Sequence, residues 1–161
     1  MDGAQYFTCL DLKSGCHQIE IDLADRSKAA FMTCNGFFEG RDLSFGLTNE
    51  PATFQRTMDV LLAGPKFNTC LVYLDDILIF SETFPDHLIR IEKVFQRLFS
   101  ANLTLNLSKS KFGLPQITYL GHVVGKDGQQ LDPDKLKAVA EFPSPTNLTN
   151  IRSFLGLCGY Y

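Results

Sequence analysis

Two adjacent carboxylates between apolar segments constrain the fold of this chain more than any other feature. Asp75 and Asp76 follow the apolar run 69–74 and precede the apolar run 77–80. Two such runs with a short break between them are typical of strands joined by a tight turn. A purely structural turn favours Asn-Gly or Asp-Gly there, and neighbouring carboxylates repel each other unless a cation neutralises them. The pair therefore predicts a hairpin with a functional tip, and a solvated surface turn is the alternative.

A divalent metal ion is the partner that such a tip would need. Mg²⁺ prefers hard oxygen ligands and typically binds one or two carboxylates together with substrate phosphates. Two such ions, about 3.5–4 Å apart, can stabilise the attacking and leaving oxygens of a phosphoryl transfer. That arrangement requires a carboxylate from another strand. Asp11 is the best candidate, because it ends the apolar strand 6–10 as Asp75 ends the strand 70–74.

The other sequence patterns predict a mixed fold. Strand and helix patterns follow each other without a regular βαβ order, which indicates the α+β class. Further strands are predicted at 18–22, 29–33, 36–39 and within 117–124, and helices at 51–62, 85–101, 132–142 and from 147 onward. The Asn-Gly pair at 35–36 is predicted to turn a hairpin. In the second helix, the apolar spacing predicts a buried face made of Leu88, Ile91, Phe95 and Leu98.

The composition is that of one globular domain, with 161 residues of which 45% are hydrophobic. The net charge of -3 argues against a stand-alone nucleic-acid binder, because such affinity comes mainly from cations on phosphates. It does not argue against an enzyme with an acidic, metal-filled site. Five cysteines without a C-x-x-C pair predict reduced thiols in an intracellular protein. The sequence has no signal-peptide pattern and no apolar run long enough to span a membrane, so no membrane partner is expected.

Five segments between residues 7 and 124, followed by DPDKLKAV at 132–139 and IRSFLGLCGYY at 151–161, resemble the reverse transcriptases of LTR retrotransposons of the Ty3/gypsy-like kind. The match runs in the family's order along nearly the whole chain. YLDDILIFS at 73–81 is similar to their catalytic hairpin, and FTCLDLKSGCHQIEI at 7–21 to their first carboxylate motif. SFGLTNEPATFQRTMD at 44–59 resembles the turn and helix that face nucleotide and template. LTLNLSKSKF at 103–112 and YLGHVV at 119–124 resemble the lysine motif and the primer grip. Several motifs in the family's order are far more specific than any one of them.

The resemblance implies an architecture. The expected fold is a polymerase palm, an antiparallel sheet with helices packed on one face, followed by the β-rich and helical start of a thumb. Residues 1–125 would form the palm with partial fingers, and residues 126–161 the palm-to-thumb connection and the truncated beginning of the thumb. Since the family has more of the fingers before this stretch and more of the thumb after it, the isolated chain is expected to have little processive activity.

The resemblance also implies a function with its cofactors and partners. The chain would belong to an RNA-directed DNA polymerase that transfers deoxynucleotides to a primer 3′-hydroxyl on an RNA or DNA template. It would use two Mg²⁺ ions, with Mn²⁺ as a substitute, and would bind template-primer and deoxynucleoside triphosphates. RNase H and integrase domains of a parent polyprotein would accompany it, in an intracellular, cytoplasmic and particle-associated setting.

Individual residues receive roles from the same resemblance. Two metal ions would be held by three carboxylates and one backbone carbonyl, those of Asp11, Asp75, Asp76 and Leu12. Lys109, with Lys111 as the second choice, matches the lysine that protonates the leaving pyrophosphate. Four residues would contact substrate, namely Cys16, Phe45 and Gly46 beside the incoming nucleotide and Gln55 on the template side.

Three departures from the family pattern keep a second interpretation open. Cys16 stands where the family usually has Tyr or Phe, whose ring excludes a ribose 2′-hydroxyl, so weaker discrimination against ribonucleotides is predicted. Residues 40–42 replace an apolar strand, and Ser44 and Glu50 replace Pro and Ala. These departures favour a decayed or domesticated palm that acts as a non-catalytic interaction module, whereas the three intact carboxylates favour the enzyme. A cyclase-like palm has no support beyond those carboxylates.

Overall fold

The computed structural model describes residues 3–64 and 69–160, and within them the chain forms nine strands and four α-helices. The strands are β1 (Tyr6–Asp11), β2 (Ala30–Thr33), β3 (Gly36–Glu39), β4 (Cys70–Tyr73), β5 (Asp76–Ser81), β6 (Lys111–Leu114), β7 (Gln116–Tyr119), β8 (His122–Gly125) and β9 (Gly128–Leu131). The helices are α1 (Glu50–Leu61), α2 (Phe84–Ser100), α3 (Pro133–Ala140) and α4 (Leu148–Tyr160). The expected α+β class is confirmed, and the four predicted helices lie where the sequence placed them.

A four-stranded antiparallel sheet in the order β4-β5-β1-β6 forms the centre of the fold. Successive side chains of a strand point to opposite faces of its sheet, and both faces of this sheet are covered. On one face, Phe54 and Met58 of α1 and Val94 of α2 belong to the same buried cluster as Leu10 and Ile79 of the sheet. The expected layer of helices on one face of the palm sheet is therefore confirmed.

The opposite face of the central sheet packs against a second, three-stranded sheet in the order β7-β8-β9. Phe7 of β1 and Leu78 of β5 are fully buried there, in a cluster with Ile117 and Tyr119 of β7. Because apolar side chains emerge on both faces, the strands β1 and β5 read as nearly continuous apolar runs. The tip that carries Asp75 and Asp76 therefore lies at the end of a sheet that is covered on both sides.

Helix α2 buries only part of the stripe that its apolar spacing predicts, since Leu98 is buried and Ile91 packs against the buried cluster. Its buried residues are His87, Val94 and Leu98, whereas Leu88 and Phe95 are exposed, so that part of the prediction is wrong. Both stripes have acceptable helical spacing. The stripe with His87 is the one that faces the sheet, where the His87 ring forms a hydrogen bond of 2.7 Å with the Thr8 hydroxyl of β1.

The strand predicted at 18–22 is also wrong. Residues Gly15–Gln18 form a 3-10 helix. The residues after it meet the segment 41–43 through a single bridge between Glu20 and Asp42, flanked by two backbone hydrogen bonds of 2.8 Å. The sequence alternates as a strand would, but the two segments pair at this one position only and form no ladder.

The Asn-Gly hairpin is confirmed as β2 and β3, a separate two-stranded sheet whose residues are all exposed. A stacked pair of rings, Phe31 and Phe38, lies on it with centroids 5.9 Å apart. No helix within the described ranges is long and apolar enough to cross a membrane.

Candidate active site

The tip of the β4–β5 hairpin has a backbone conformation that its own residues disfavour. Tyr73 pairs with Asp76, so Leu74 and Asp75 form a two-residue connection. Leu74 has a φ of 50°, in the left-handed region that costs a non-glycine residue about 1–2 kcal/mol. Such strain persists only where the surroundings impose it, and it concentrates at functional sites.

Gln55 of α1 imposes this conformation. Its Oε1 accepts the Leu74 N–H at 2.7 Å, and its Nε2 donates to the Val72 carbonyl at 3.2 Å and to Asp59 Oδ1 at 2.8 Å. The sequence predicts a template contact for Gln55, whereas in the structure its amide is engaged with the hairpin. No sequence signal indicates this role, because it depends on how α1 packs beside β4.

The strand register brings two of the predicted carboxylates side by side. Asp11 of β1 and Asp76 of β5 are direct partners in the antiparallel ladder, so their side chains share a face, with Cβ atoms about 4.5–5.5 Å apart. Strand alternation places Asp76 on the face of Leu78, which packs against the β7-β8-β9 sheet. Burial, and after it the charge of Asp11, raises the pKa of Asp76 above its ordinary value.

Asp75 lies at the same tip but turns toward the helices. Its Oδ1 is buried and has no hydrogen-bond partner among the described residues. This oxygen lies so close to Gly15 that a Cβ added there would overlap it, and the same Cβ would lie 2.7 Å from Cζ of Phe54. Burial raises the pKa of Asp75, and the charges of Asp11, Asp76 and Glu50 add to the effect.

The three carboxylates do not form a preassembled metal site. Within residues 3–64 and 69–160, no group of three or more His, Cys, Asp or Glu side chains is arranged to hold a metal ion. Asp11 and Asp76 share one face of the sheet, and Asp75 lies on the helix side of the tip. The donor chemistry nevertheless fits a divalent cation, because all three offer the hard oxygens that Mg²⁺ prefers. A cation would also stabilise the buried, unpartnered oxygen of Asp75.

The segment around Lys109 fastens the end of β1 beside the tip. The Asn106 N–H donates to the Asp11 carbonyl at 2.8 Å, and the Asp11 N–H donates to Ser110 Oγ at 3.2 Å. Lys109 is an exposed residue of this turn, and its charge lowers the pKa of Asp75. The structure thus places Lys109 within electrostatic reach of the carboxylates. Sequence reasoning missed Ser110, since nothing local marks a contact across 99 residues.

Lys111, the second choice for the same role, lies elsewhere. It belongs to β6 and pairs with Cys9 of β1. Burial first, and then the charge of Asp76, raises the pKa of Cys9 to about 11, while Lys111 acts in the opposite direction. Lys111 therefore lies beside β1 two residues before Asp11, whereas Lys109 acts on Asp75.

The turn that follows β1 carries two more of the predicted residues. The Leu12 N–H donates to the Asp75 carbonyl at 3.2 Å, which ties the two carboxylate-bearing segments together. Cys16 is only 5% exposed and belongs to the core. Its thiol donates to Oε1 of Glu50 at 2.7 Å. Two residues that depart separately from the family pattern are therefore in contact.

The remaining predicted substrate contacts lie on the surface. Phe45 is exposed, and its ring meets the His17 ring edge-on with centroids 4.7 Å apart. Gly46 has a φ of 93°, a conformation that side chains rarely adopt. Both residues come just before α1, whose first residue is Glu50. The contact between the Phe45 and His17 rings therefore brings this segment beside the turn that contains Cys16.

Known proteins match this chain in sequence and in structure. A family profile described as reverse transcriptase (RNA-dependent DNA polymerase) matches residues 1–124. The retrovirus-related Pol polyprotein from transposon 297 of Drosophila melanogaster is 49% identical over 157 residues, which are 98% of this chain and 15% of that protein. The Pol polyprotein from transposon gypsy of the same species is 44% identical over 158 residues, again 98% of this chain and 15% of that protein.

Solved structures agree with these relatives. The foamy viral protease-reverse transcriptase in complex with double-stranded DNA matches with a TM-score of 0.89 and 29% identity, over 97% of this chain and 27% of that chain. The complex of the foamy viral protease-reverse transcriptase with an RNA/DNA hybrid matches with a TM-score of 0.84 and 29% identity, over 97% of this chain and 21% of that chain. The chain spans about 15% of the length of the curated relatives named above. Because the family profile matches residues 1–124 and these relatives match nearly the whole chain, the chain belongs to the reverse transcriptase family, and its relatives are the Pol polyproteins of gypsy-type LTR retrotransposons.

Proposed function

We propose that this chain forms the polymerising part of an RNA-directed DNA polymerase, which transfers deoxynucleotides from their triphosphates to a primer 3′-hydroxyl. The observation that carries the proposal is the pairing of Asp11 with Asp76 beside the unpartnered buried oxygen of Asp75. The related foamy viral enzyme has been solved with double-stranded DNA and with an RNA/DNA hybrid, which supports a template-primer duplex as the nucleic-acid partner. RNase H and integrase domains of a parent polyprotein would be further partners.

The roles of the residues follow from their chemistry and positions. Reverse transcriptases as a family use divalent metal ions. When bound, two Mg²⁺ ions, or Mn²⁺ in their place, would neutralise charge on the attacking and leaving oxygens. Three carboxylates and one carbonyl would hold them, those of Asp11, Asp75, Asp76 and Leu12. Lys109 would donate a proton to the leaving pyrophosphate. Gln55 and Ser110 hold the backbone that carries the carboxylates.

The nucleotide would lie beside Phe45, Gly46 and the Cys16 turn. Because the Cys16 thiol is buried against Glu50, position 16 offers no bulky side chain to a nucleotide sugar. Weak discrimination between deoxyribose and ribose therefore stays a prediction for this chain. The template strand would supply sequence information by base pairing, so the protein needs no contacts that are specific for one base.

A primer-extension assay tests the proposal. The chain, supplied with a DNA primer on an RNA template, deoxynucleoside triphosphates and Mg²⁺ or Mn²⁺, is expected to add single nucleotides, and chelation of the metal is expected to stop the addition. Asp75→Asn should reduce extension to background, because it removes an anionic metal ligand while keeping the size of the side chain. Asp127→Asn is the matched control, since Asp127 is exposed in the β8–β9 turn.

Two outcomes would contradict the proposal. One is extension that is equally fast in the parent and in Asp75→Asn. The other is a chain that binds template-primer but adds no nucleotide with either metal, and that outcome would favour the non-catalytic interaction module.

A further inference from the structure

We propose that Glu50 is a positioning residue of the metal site, which acts through Cys16 and the turn Gly15–Gln18 on the carboxylate of Asp75. The inference rests on the proposed function, because it assumes that Asp75 binds a divalent cation. It goes beyond that function by assigning to Glu50, and to its contact with Cys16, a role in holding the carboxylate of Asp75.

The first step is the contact between Cys16 and Glu50. The thiol donates to Oε1 at 2.7 Å, and the residues are 5% and 8% exposed. Burial, and after it the hydrogen bond to Glu50, raises the pKa of Cys16 to about 12, so the thiol keeps the proton that it donates. Glu50 is the first residue of α1, where the positive end of the helix dipole favours an anion. The contact therefore joins the turn after β1 to the start of α1.

The turn Gly15–Gln18 and helix α1 enclose the carboxylate of Asp75. Gly15 precedes Cys16 in the turn, and Phe54 lies one helical turn after Glu50 in α1. A Cβ on Gly15 would reach both Asp75 Oδ1 and the Phe54 ring, so the Asp75 carboxylate lies where the turn and the helix meet. The separation of turn and helix decides how much room this carboxylate has. The Cys16–Glu50 hydrogen bond spans that separation.

Other contacts also hold the turn Gly15–Gln18. Its far end is fastened by Gln18, whose side chain accepts the Thr104 N–H at 2.6 Å and donates to the Thr104 carbonyl at 3.0 Å. Its near end begins at Ser14 in the left-handed region, with a φ of 51°. Between these points lie Gly15, Cys16 and His17, and of these Cys16 carries the hydrogen bond to α1. Loss of that contact would free the part of the turn that faces Asp75.

Binding of Mn²⁺ alone, measured by electron paramagnetic resonance on the full 161-residue chain, tests the inference. Glu50→Ala and Cys16→Ala should each weaken Mn²⁺ binding about tenfold, as is typical when a group behind a metal ligand is removed. Glu50→Gln keeps an oxygen that accepts the thiol, and Cys16→Ser keeps a donor, so both should bind Mn²⁺ nearly as the parent does. The double variant Cys16→Ala with Glu50→Ala should be no weaker than either single variant, because both remove one contact.

These comparisons separate positioning from simpler explanations. If Glu50→Gln weakens Mn²⁺ binding as much as Glu50→Ala, only the charge of Glu50 matters and the inference is wrong. Unchanged Mn²⁺ affinity in both Glu50→Ala and Cys16→Ala would also overturn the inference. If Glu50→Ala fails to fold, the affinity of Cys16→Ala alone decides. Glu141→Ala, at an exposed position, should change nothing.

Asp75→Asn separates this inference from the proposed function. Loss of Mn²⁺ binding in Asp75→Asn, together with parent-like binding in Cys16→Ala and Glu50→Ala, would leave the function standing and remove the role of Glu50. Parent-like Mn²⁺ binding in Asp75→Asn would overturn the metal role of Asp75, and the inference would fall with it.

Discussion

Gly15 leaves no room for a side chain at the site. The space that a Cβ would need is already taken by Asp75 Oδ1 and by the Phe54 ring. Gly15→Ala should lower the free energy of unfolding by about 1–3 kcal/mol, the usual cost of overpacking a core, and should also weaken Mn²⁺ binding. Urea unfolding and Mn²⁺ titration measure the two effects.

Gly156 supplies the matched control for Gly15. It lies in α4, and nothing stands within 4 Å of the position that its Cβ would take. Gly156→Ala should be neutral or stabilising by about 0.5–1 kcal/mol, because alanine favours a helix more than glycine does. A Gly15→Ala variant as stable as the parent would show that the turn yields easily.

Gln55 supports the strained backbone of the tip. Gln55→Ala would leave the Leu74 N–H without its acceptor and the Val72 carbonyl without its donor. The free energy of unfolding should fall by about 1 kcal/mol, the usual net worth of such hydrogen bonds at partly buried groups, as measured by urea unfolding. Gln96→Ala is the control, since Gln96 is exposed and its side chain donates to Glu92 on the same helix, at 3.3 Å. Equal stability of the two variants would refute the supporting role.

At the scale of the elements, local sequence patterns predict which segments form strands and helices better than they predict which segments pair or pack together. The apolar runs around the Asp-Asp pair, the Asn-Gly turn and the periodicity of α1 are each contained in a short stretch, so the hairpins and helices follow from sequence. The register that pairs Asp11 with Asp76 and the orientation of Asp75 toward Gly15 depend on packing between segments about 60 residues apart. The family resemblance names the site residues, but it carries no information on these orientations or on the Cys16–Glu50 contact.

Helix α2 makes the stability of the fold depend on pH through one buried imidazole. His87 is fully buried, its ring meets the Thr8 hydroxyl, and its Nδ1 has no partner among the described residues. Burial first, and then the charge of Arg90, lowers the pKa of His87. At this imidazole the folded state therefore binds fewer protons than the unfolded state at mildly acidic pH. This part of the stability is present above the unfolded pKa of about 6.5 and is lost as pH falls below it.

Urea unfolding between pH 7.5 and 5.5 tests this dependence. The parent should lose stability steadily over that range, whereas His87→Leu, which cannot be protonated there, should show a flatter profile. His17→Gln is the comparison variant, because it removes an exposed imidazole instead of the buried one. The raised pKa values of Asp75 and Asp76 act in the opposite sense. They are common to all three proteins, so the comparison isolates His87.

At the scale of the whole molecule, the central sheet and the β2–β3 hairpin differ in how much of their apolar surface is buried. The central sheet is buried on both faces, while the β2–β3 hairpin places Phe37 and Met32 in solvent at 81% and 72% exposure. A two-stranded hairpin is at best marginally stable by itself, and exposed apolar patches mark surfaces that associate. The hairpin is therefore one of the exposed apolar surfaces through which copies of this chain could associate.

Sedimentation equilibrium should show that the chain self-associates with increasing concentration and that Phe37→Ser combined with Met32→Ser shifts it toward the monomer. The free energy of unfolding should stay nearly unchanged, because neither side chain is buried in the monomer. Phe99→Ser is the matched control, since it removes a ring that is 85% exposed from α2 instead of the hairpin. If Phe99→Ser dissociates the chain and the hairpin variant does not, the associating surface lies on α2. If both dissociate it equally, association is a general effect of exposed rings and gives the hairpin no special part.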